Sequence, residues 1–243
     1  MYLINHKYKY IVILNTKSGC STMRYLHQKL HFDEFTKEFQ EYIKKNEETA
    51  FHYINYGDLD VDEYKNKNYF IFSIVRNSYN RVCSMYFNRF LNIAYEFKFK
   101  EINTEKTFYN MLEQLPSLSK VDFHYIPQII NNKIDKYIYL ENLYDELLII
   151  YKKLNFKEKQ MKIFMEFKNK NIKRESSGKK IDFNMDLSNY NFKDDSLKLN
   201  INNKIIPSYS NLLNKKTISM IYKIYKKEID KFKFSQEDID DIT

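Results

Sequence analysis

The sequence predicts an α/β fold, a parallel sheet with helices on both faces. Two apolar runs carry the prediction, Tyr10–Leu14 and Tyr69–Val75. Both are rich in β-branched and aromatic residues, and unbroken runs of this kind mark strands covered on both sides, where a half-exposed strand would alternate. Each run ends in a short polar turn that leads into apolar residues at helical spacing, which is how strands and crossover helices alternate around a parallel sheet. At 243 residues the chain is long enough for one large domain and short for two, so a single domain over 1–243 is expected.

The elements follow in order. Behind the first strand, Met23, Leu26 and Leu30 recur at helical spacing. Phe35, Phe39, Tyr42 and Ile43 mark a second amphipathic helix, and Phe51–Tyr56 a short strand closed by Gly57-Asp58. Asp58–Asn68 reads as a polar turn. After the strand at Tyr69–Val75, Asn77 or Ser78 caps a helix. Its apolar stripe is Tyr79, Val82, Cys83, Tyr86, Phe87, Phe90 and Leu91, which leaves Arg81, Ser84 and Asn88 together on another face. A helical segment near Phe108–Leu115 leads into Pro116. Tyr137–Leu140 is a further strand, and a helix from Asn142 places Leu143, Leu147, Ile150, Tyr151 and Leu154 on one face. Phe156–Phe167 has helical character. Residues 168–207 are polar and weakly periodic, an irregular excursion loosest at Ser176-Ser177-Gly178. The chain closes on a helix from Lys215 to Phe232, with Ile218, Ile221, Tyr222, Tyr225, Ile229 and Phe232 inward.

The formal charge of +8 has a location: between Lys152 and Lys180 eleven Lys or Arg stand against three Glu. Such a segment suits an anionic partner, whether a phosphorylated nucleotide, an acidic glycan, an anionic membrane surface or nucleic acid, and is equally compatible with a solvated helix face. Cys20 and Cys83 are too few for a disulfide framework or a metal site and are expected as reduced thiols. No stretch approaches the roughly 18 apolar residues of a membrane span, and the first residues lack a secretory pattern, so a soluble, cytoplasmic chain is expected.

The chemistry concentrates in the turn after the first strand. Thr16, Lys17, Ser18, Gly19, Cys20, Ser21 and Thr22 supply one cation, four hydroxyls and one of only three glycines in the chain. Amides at a helix N-terminus, the positive end of its dipole and a lysine together make a site for phosphate or sulfate, while an ordinary capped turn would use the same residue types. Glycine belongs where the backbone must take a positive φ or approach a ligand. Arg76 directly follows the other buried strand. Ligands of parallel sheets bind beyond the carboxyl ends of the strands, so Lys17 and Arg76 are expected at the same sheet edge.

TKSGCST after the first strand and VRNSYNRVCSMY after the later one resemble the two cofactor motifs of sulfotransferases that use 3′-phosphoadenosine 5′-phosphosulfate (PAPS). The first is similar to their 5′-phosphosulfate loop. The second is similar to their 3′-phosphate motif, an Arg followed eight residues later by a Ser, here Arg76 and Ser84. DFHYIPQ, Asp122–Gln128, resembles the His-aromatic-x-Pro-Gln segment of the carbohydrate sulfotransferase branch. YIYLENLYDELLIIYKKL and the closing IYKIYKKEIDKFKF resemble the strand and helix that follow it there and the branch's last helix. The matches keep family order. Ser78 stands where the family usually has Pro, Tyr125 where it often has Trp, the loop has one glycine rather than two, and a membrane anchor like that of animal members is not expected.

The resemblance implies a P-loop-like sulfotransferase fold and transfer of a sulfuryl group from PAPS to a hydroxyl, with a carbohydrate as the acceptor partner. It implies that Lys17 and the loop Ser18, Gly19, Cys20, Ser21 and Thr22 take the 5′ end, with Lys17 also catalytic through the leaving group's charge. Arg76, forked and planar, would take the 3′-phosphate with Ser84. The reaction needs a base and no metal, and His124 is the candidate among five histidines, with a structural histidine as the equal alternative. Glu34 or Glu38 could serve instead, Glu141 would anchor a loop, and Arg174 could reach the cofactor. Peripheral contact with a membrane stays open, and nucleic acid is not expected as a partner. Competing classes are a P-loop nucleotide or small-molecule kinase, which needs its Lys after the last loop glycine whereas Lys17 precedes Gly19, and a basic nucleic-acid-binding protein. A cysteine phosphatase needs Cys and Arg about six apart, and Cys20 and Arg24 are four apart.

Overall fold

The computed structural model describes residues 1–46, 59–91, 107–170, 179–191 and 205–237. The chain forms two compact units. One comprises Met1–Val75 with Ile129–Arg174, the other Arg76–Gln128 with Glu175–Thr243.

The first unit is α/β, built on a four-stranded sheet in the order β1 (Tyr2–Asn5), β2 (Tyr10–Leu14), β3 (Phe70–Val75), β4 (Lys136–Tyr139). Strands β2, β3 and β4 are parallel, with Leu14 opposite Ile74 and Ile74 opposite Ile138. The all-parallel expectation is corrected at the edge, where β1 runs antiparallel to β2. The sequence hides β1 because this four-residue edge strand offers only the short apolar stretch Tyr2–Ile4, with side chains alternating half-buried and buried. All five residues of β2 are buried. Tyr10, Val12 and Leu14 face a core shared with α1 (Cys20–Leu30), α6 (Leu143–Lys153) and α7 (Glu158–Asn169), while Ile11 and Ile13 face Ile71 and Ile134 on the other side.

Between these, α2 (Lys37–Lys45) is capped by the Thr36 hydroxyl and buries only Ile43, so Phe35 precedes the helix rather than opening it. The polar stretch after Asp58 is not a turn but contains α3 (Val61–Asn66). Asp60 caps α3 by accepting from the amides of Asp62 and Glu63 at 3.0 and 3.1 Å, and Val61 and Tyr64 pack against the sheet. The predicted strand at Phe51–Tyr56 lies outside the described residues, as does the loose point at Ser176–Gly178.

The second unit contains α4 (Ser78–Met85), a π-helical turn at Tyr86–Phe90, α5 (Phe108–Val121) and α8 (Lys215–Phe232). A short parallel pair, β5 (Lys179–Ile181) with β6 (Ile205–Pro207), interrupts the stretch predicted to be irregular. Asn77 caps α4 as expected, its side chain accepting from the Tyr79 amide. Every residue of α4 is buried, Arg81 and Ser84 included, so the face predicted to be polar and separate is interior. α5 continues through Pro116 instead of ending there. An interior proline costs about 3 kcal/mol, and buried Leu115 and Leu118 on either side offset it by holding both halves in the core. α8 has the predicted bounds and a capping box between Asn214 and Thr217. Tyr222, expected inward, is exposed and donates to Asp230 at 3.0 Å.

Candidate functional site

The loop between β2 and α1 is held in place from Asn15, which is buried. Its side-chain amide donates to Ser73 Oγ and the Ile74 carbonyl, both at 3.0 Å, and its Oδ1 accepts from the Ile129 amide at 2.8 Å. Its carbonyl takes the Ser18 amide at 3.2 Å and the Cys20 thiol at 2.7 Å. The chain then turns through two positive φ angles, 62° at Lys17 and 78° at Gly19. A left-handed residue followed by the right-handed first turn of α1 is a backbone pattern from which anion nests are built, although the Ser18 amide is already engaged by the Asn15 carbonyl. Gly19 sits at the N-cap of α1 without a side-chain cap, and no acidic residue occupies the first turn. The left-handed angle at Lys17, a non-glycine, costs on the order of 1–3 kcal/mol, a strain that gathers at functional sites. Burial pushes the Cys20 thiol up, against the lowering influence of Arg24 and Lys17, so the sulfur stays protonated and serves as a donor to Asn15.

Arg76 is the residue that follows β3. Its backbone is clamped by the Gln128 side chain: the Arg76 amide donates to Oε1 at 2.8 Å and its carbonyl accepts from Nε2 at 2.9 Å. Its guanidinium lies over the Tyr209 ring, 5.8 Å from the centroid, and hydrogen-bonds the phenol. Ser84 hydrogen-bonds the same phenol. Burial raises the Tyr209 phenol above its ordinary value, and the Arg76 charge and these two bonds offset part of that rise. Arg76 and Ser84, eight residues apart in sequence, therefore meet on one side chain.

His124 lies in the turn after α5. Its Nδ1 faces Asp122 Oδ1 at 2.6 Å, its own amide donates to the same carboxylate at 2.9 Å, and its Nε2 faces Arg89 Nη2 in the π-helical turn. An arginine can only donate, so Nε2 is the acceptor and Nδ1 carries the proton given to Asp122. Burial would raise the Asp122 carboxyl, but the bonds from His124 and the charge of Arg89 outweigh it and hold it below the usual range. Phe123, exposed, tilts over the imidazole with ring centroids 4.3 Å apart. The carboxylate proposed as an alternative base, Glu34, is already engaged with Asn5 at 2.9 Å, Lys7 at 3.0 Å and His31. Burial raises its pKa and these partners more than reverse it, so it is a weak base. Glu38 is exposed in the first turn of α2.

The loop thus lies in the first unit, and Arg76, Ser84 and His124 in the second. Three residues of these surroundings carry no sequence signal: Asn15, Tyr209 and Glu228. Tyr209 is one of 22 tyrosines, and Glu228 sits on a lysine-rich helix. A cavity of about 900 Å3 between α8 and the residues after it, lined among others by Tyr79, Lys215 and Tyr222, includes none of the predicted site residues. Within the basic segment, Lys168 pairs with Asp145 at 2.6 Å, Lys159 with Asp33, and Lys153 lies over the Phe70 ring, so part of its charge is used inside the first unit. Arg174 lies outside the described residues. Among the described residues no group of three or more His, Cys, Asp or Glu is placed to hold a metal ion, and no helix is long and apolar enough to cross a membrane. Comparison of the chain with family models, curated proteins and solved structures finds no match.

Proposed function

We propose that this protein is a sulfotransferase that uses PAPS and a hydroxyl acceptor, a carbohydrate. The observation that carries the reading is the meeting of Arg76 and Ser84 on the Tyr209 phenol, since the resemblance pairs just these two residues on one phosphate. A guanidinium, a hydroxyl and a phenol converging at one point supply the charge-assisted donors a phosphate needs. The loop fits the other end: Gly19 in the left-handed region, Lys17 beside it and an uncapped helix start suit a dianionic group.

PAPS supplies the sulfuryl group, which leaves adenosine 3′,5′-bisphosphate behind when the bond to the 5′-phosphate breaks and the bond to the acceptor oxygen forms. Lys17 and the loop amides hold the 5′ end and the charge that grows on its oxygen. Arg76 and Ser84 hold the 3′-phosphate. His124 accepts the acceptor's proton at Nε2, and Asp122 fixes the tautomer through Nδ1 and stabilises the imidazolium. Arg89 faces Nε2, so the acceptor hydroxyl has to displace it to reach the base. The exposed Phe123 ring beside His124 offers a face on which a sugar ring can stack.

Thermal unfolding without added metal tests the binding half: adenosine 3′,5′-bisphosphate should raise the melting temperature, and AMP, which lacks the 3′-phosphate, should do much less. Equal shifts would remove Arg76 and Ser84 from the site. Transfer of labelled sulfate onto glycans, phenols and peptides tests the acceptor, and a preference for tyrosyl peptides would sink the carbohydrate assignment.

A further inference from the structure

Building on the reading of Arg76 as a 3′-phosphate ligand, we infer that Gln128 is a positioning residue that presents Arg76 to that phosphate, under the control of a buried ion pair. Gln128 is 3% exposed, and both polar atoms of its side chain are spent on one residue, the amide and the carbonyl of Arg76. This is the bonding that a neighbouring strand would supply, delivered by a single side chain. It fixes the root of the Arg76 side chain through its backbone. Gln128 is fixed in turn. Its own amide donates to Glu228 Oε2, and both guanidinium Nη atoms of Arg81 donate to the Ile126 carbonyl at 3.1 Å.

Arg81 and Glu228 form the core of the device. Both are fully enclosed, Nη2 of Arg81 lies 3.4 Å from Glu228 Oε1, and the same oxygen accepts the Ser78 hydroxyl at 2.6 Å. The Arg81 guanidinium also stacks 5.0 Å from the Tyr225 ring centroid, and the Tyr225 phenol donates to the Tyr125 carbonyl at 2.7 Å. A buried ion pair is seldom more stabilising than apolar residues of the same volume, so its presence points to geometry rather than to stability. Here each end of the pair grips a different point of the 126–128 segment, and that segment grips Arg76. Ordering a binding residue before the ligand arrives raises affinity by removing the entropy of ordering it on binding.

The test uses the whole chain and two substitutions, Gln128→Leu, which keeps the size and removes both bonds, and Gln128→Glu, which keeps the acceptor for the Arg76 amide and loses the donor to its carbonyl. Calorimetric affinities for adenosine 3′,5′-bisphosphate and AMP are measured beside amide exchange at Arg76. Expected for Gln128→Leu is a loss of about tenfold in bisphosphate affinity, the scale of one charge-assisted contact, with AMP affinity unchanged. The Arg76 amide should exchange faster while that of Ile74 does not change. If Gln128→Leu does not fold, Gln128→Glu is read in the same way with a smaller loss. A fall of both ligands together would assign Gln128 to general packing and overturn the inference, as would full discrimination in a variant whose Arg76 amide has become exposed. A wild-type protein that fails to discriminate between the two nucleotides is a different failure, because it overturns the 3′-phosphate reading of Arg76 itself.

Discussion

Replacing Gly19 by alanine separates backbone strain from crowding at the candidate anion loop. Gly19 has φ 78° and ψ 18°, and a Cβ built there falls 2.5 Å from Leu140 Cδ1, closer than real Cβ contacts occur. An L-residue in this region costs about 1–2 kcal/mol. The contact adds about 1–2 kcal/mol, since Leu140 is a partly buried side chain that can rotate but packs against the core around α1 and α6. The entropy that alanine removes from the unfolded chain returns about 0.4–1 kcal/mol. The net expectation is a destabilisation of about 1–3.5 kcal/mol. Urea unfolding of the wild type, Gly19→Ala, Leu140→Ala and the double variant resolves the two parts, because shortening Leu140 relieves the contact and leaves the φ penalty. The double variant should be more stable than the sum of the two single losses by the size of the contact. A Gly19→Ala protein within about 0.3 kcal/mol of wild type would refute the left-handed loop, and strict additivity would refute the contact.

Other outcomes follow from the same geometry. Glu228→Ala leaves Arg81 charged and buried and should cost about 3–5 kcal/mol, seen as an earlier urea midpoint, whereas Lys223→Ala or Lys227→Ala, at exposed positions of α8, should stay within about 0.5 kcal/mol. Asn15→Ala removes the bonds to Ser73, Ile74 and Ile129 and should cost about 2–4 kcal/mol while weakening bisphosphate binding at the loop. His124→Ala should cut turnover by about a hundredfold or more with nucleotide affinity and melting temperature nearly intact, and near-normal turnover in a stable variant would move the base elsewhere. The pair His27 and His31 sets a pH dependence: burial holds both below the ordinary histidine range, with the charge of His31 adding to the effect at His27 and Glu34 partly offsetting it at His31. Both flank the Tyr10 phenol, at 2.8 and 2.7 Å. The unfolded chain takes up protons below about pH 6.5 that the folded chain refuses, so stability is full above that pH and falls as pH drops, by at most about 1.4 kcal/mol per pH unit for each histidine. His27→Gln should flatten the melting temperature between pH 6.5 and about 5.5, and an unchanged slope would refute the assignment.

The sequence was most informative where one local rule dominated. β2 and α8 have the predicted bounds because a fully apolar β-branched run and a long stripe with a polar cap leave one solution each. The turn at Lys17–Gly19 was legible because glycine is scarce in this chain and its positive φ is a backbone requirement that sequence records directly. Edge strand β1, helix α3 and the passage of α5 through Pro116 were not legible, since each depends on a cap or on core contacts that override short-range preference.

By itself, then, the sequence indicated the central strands, most of the helices and which polar residues stand next to the ends of buried strands, while the pairing of Arg76 with Ser84 came only from the family resemblance. Tertiary structure decided what holds them. The polar face of α4 became interior because Arg81 found Glu228 across a long stretch of chain, Gln128 closed on the Arg76 backbone, and Tyr209 joined Arg76 to Ser84. No periodicity encodes such contacts. A buried charge or amide is tolerated only when its partner arrives from elsewhere in the chain, and the partner's identity is fixed by packing rather than by its sequence neighbours.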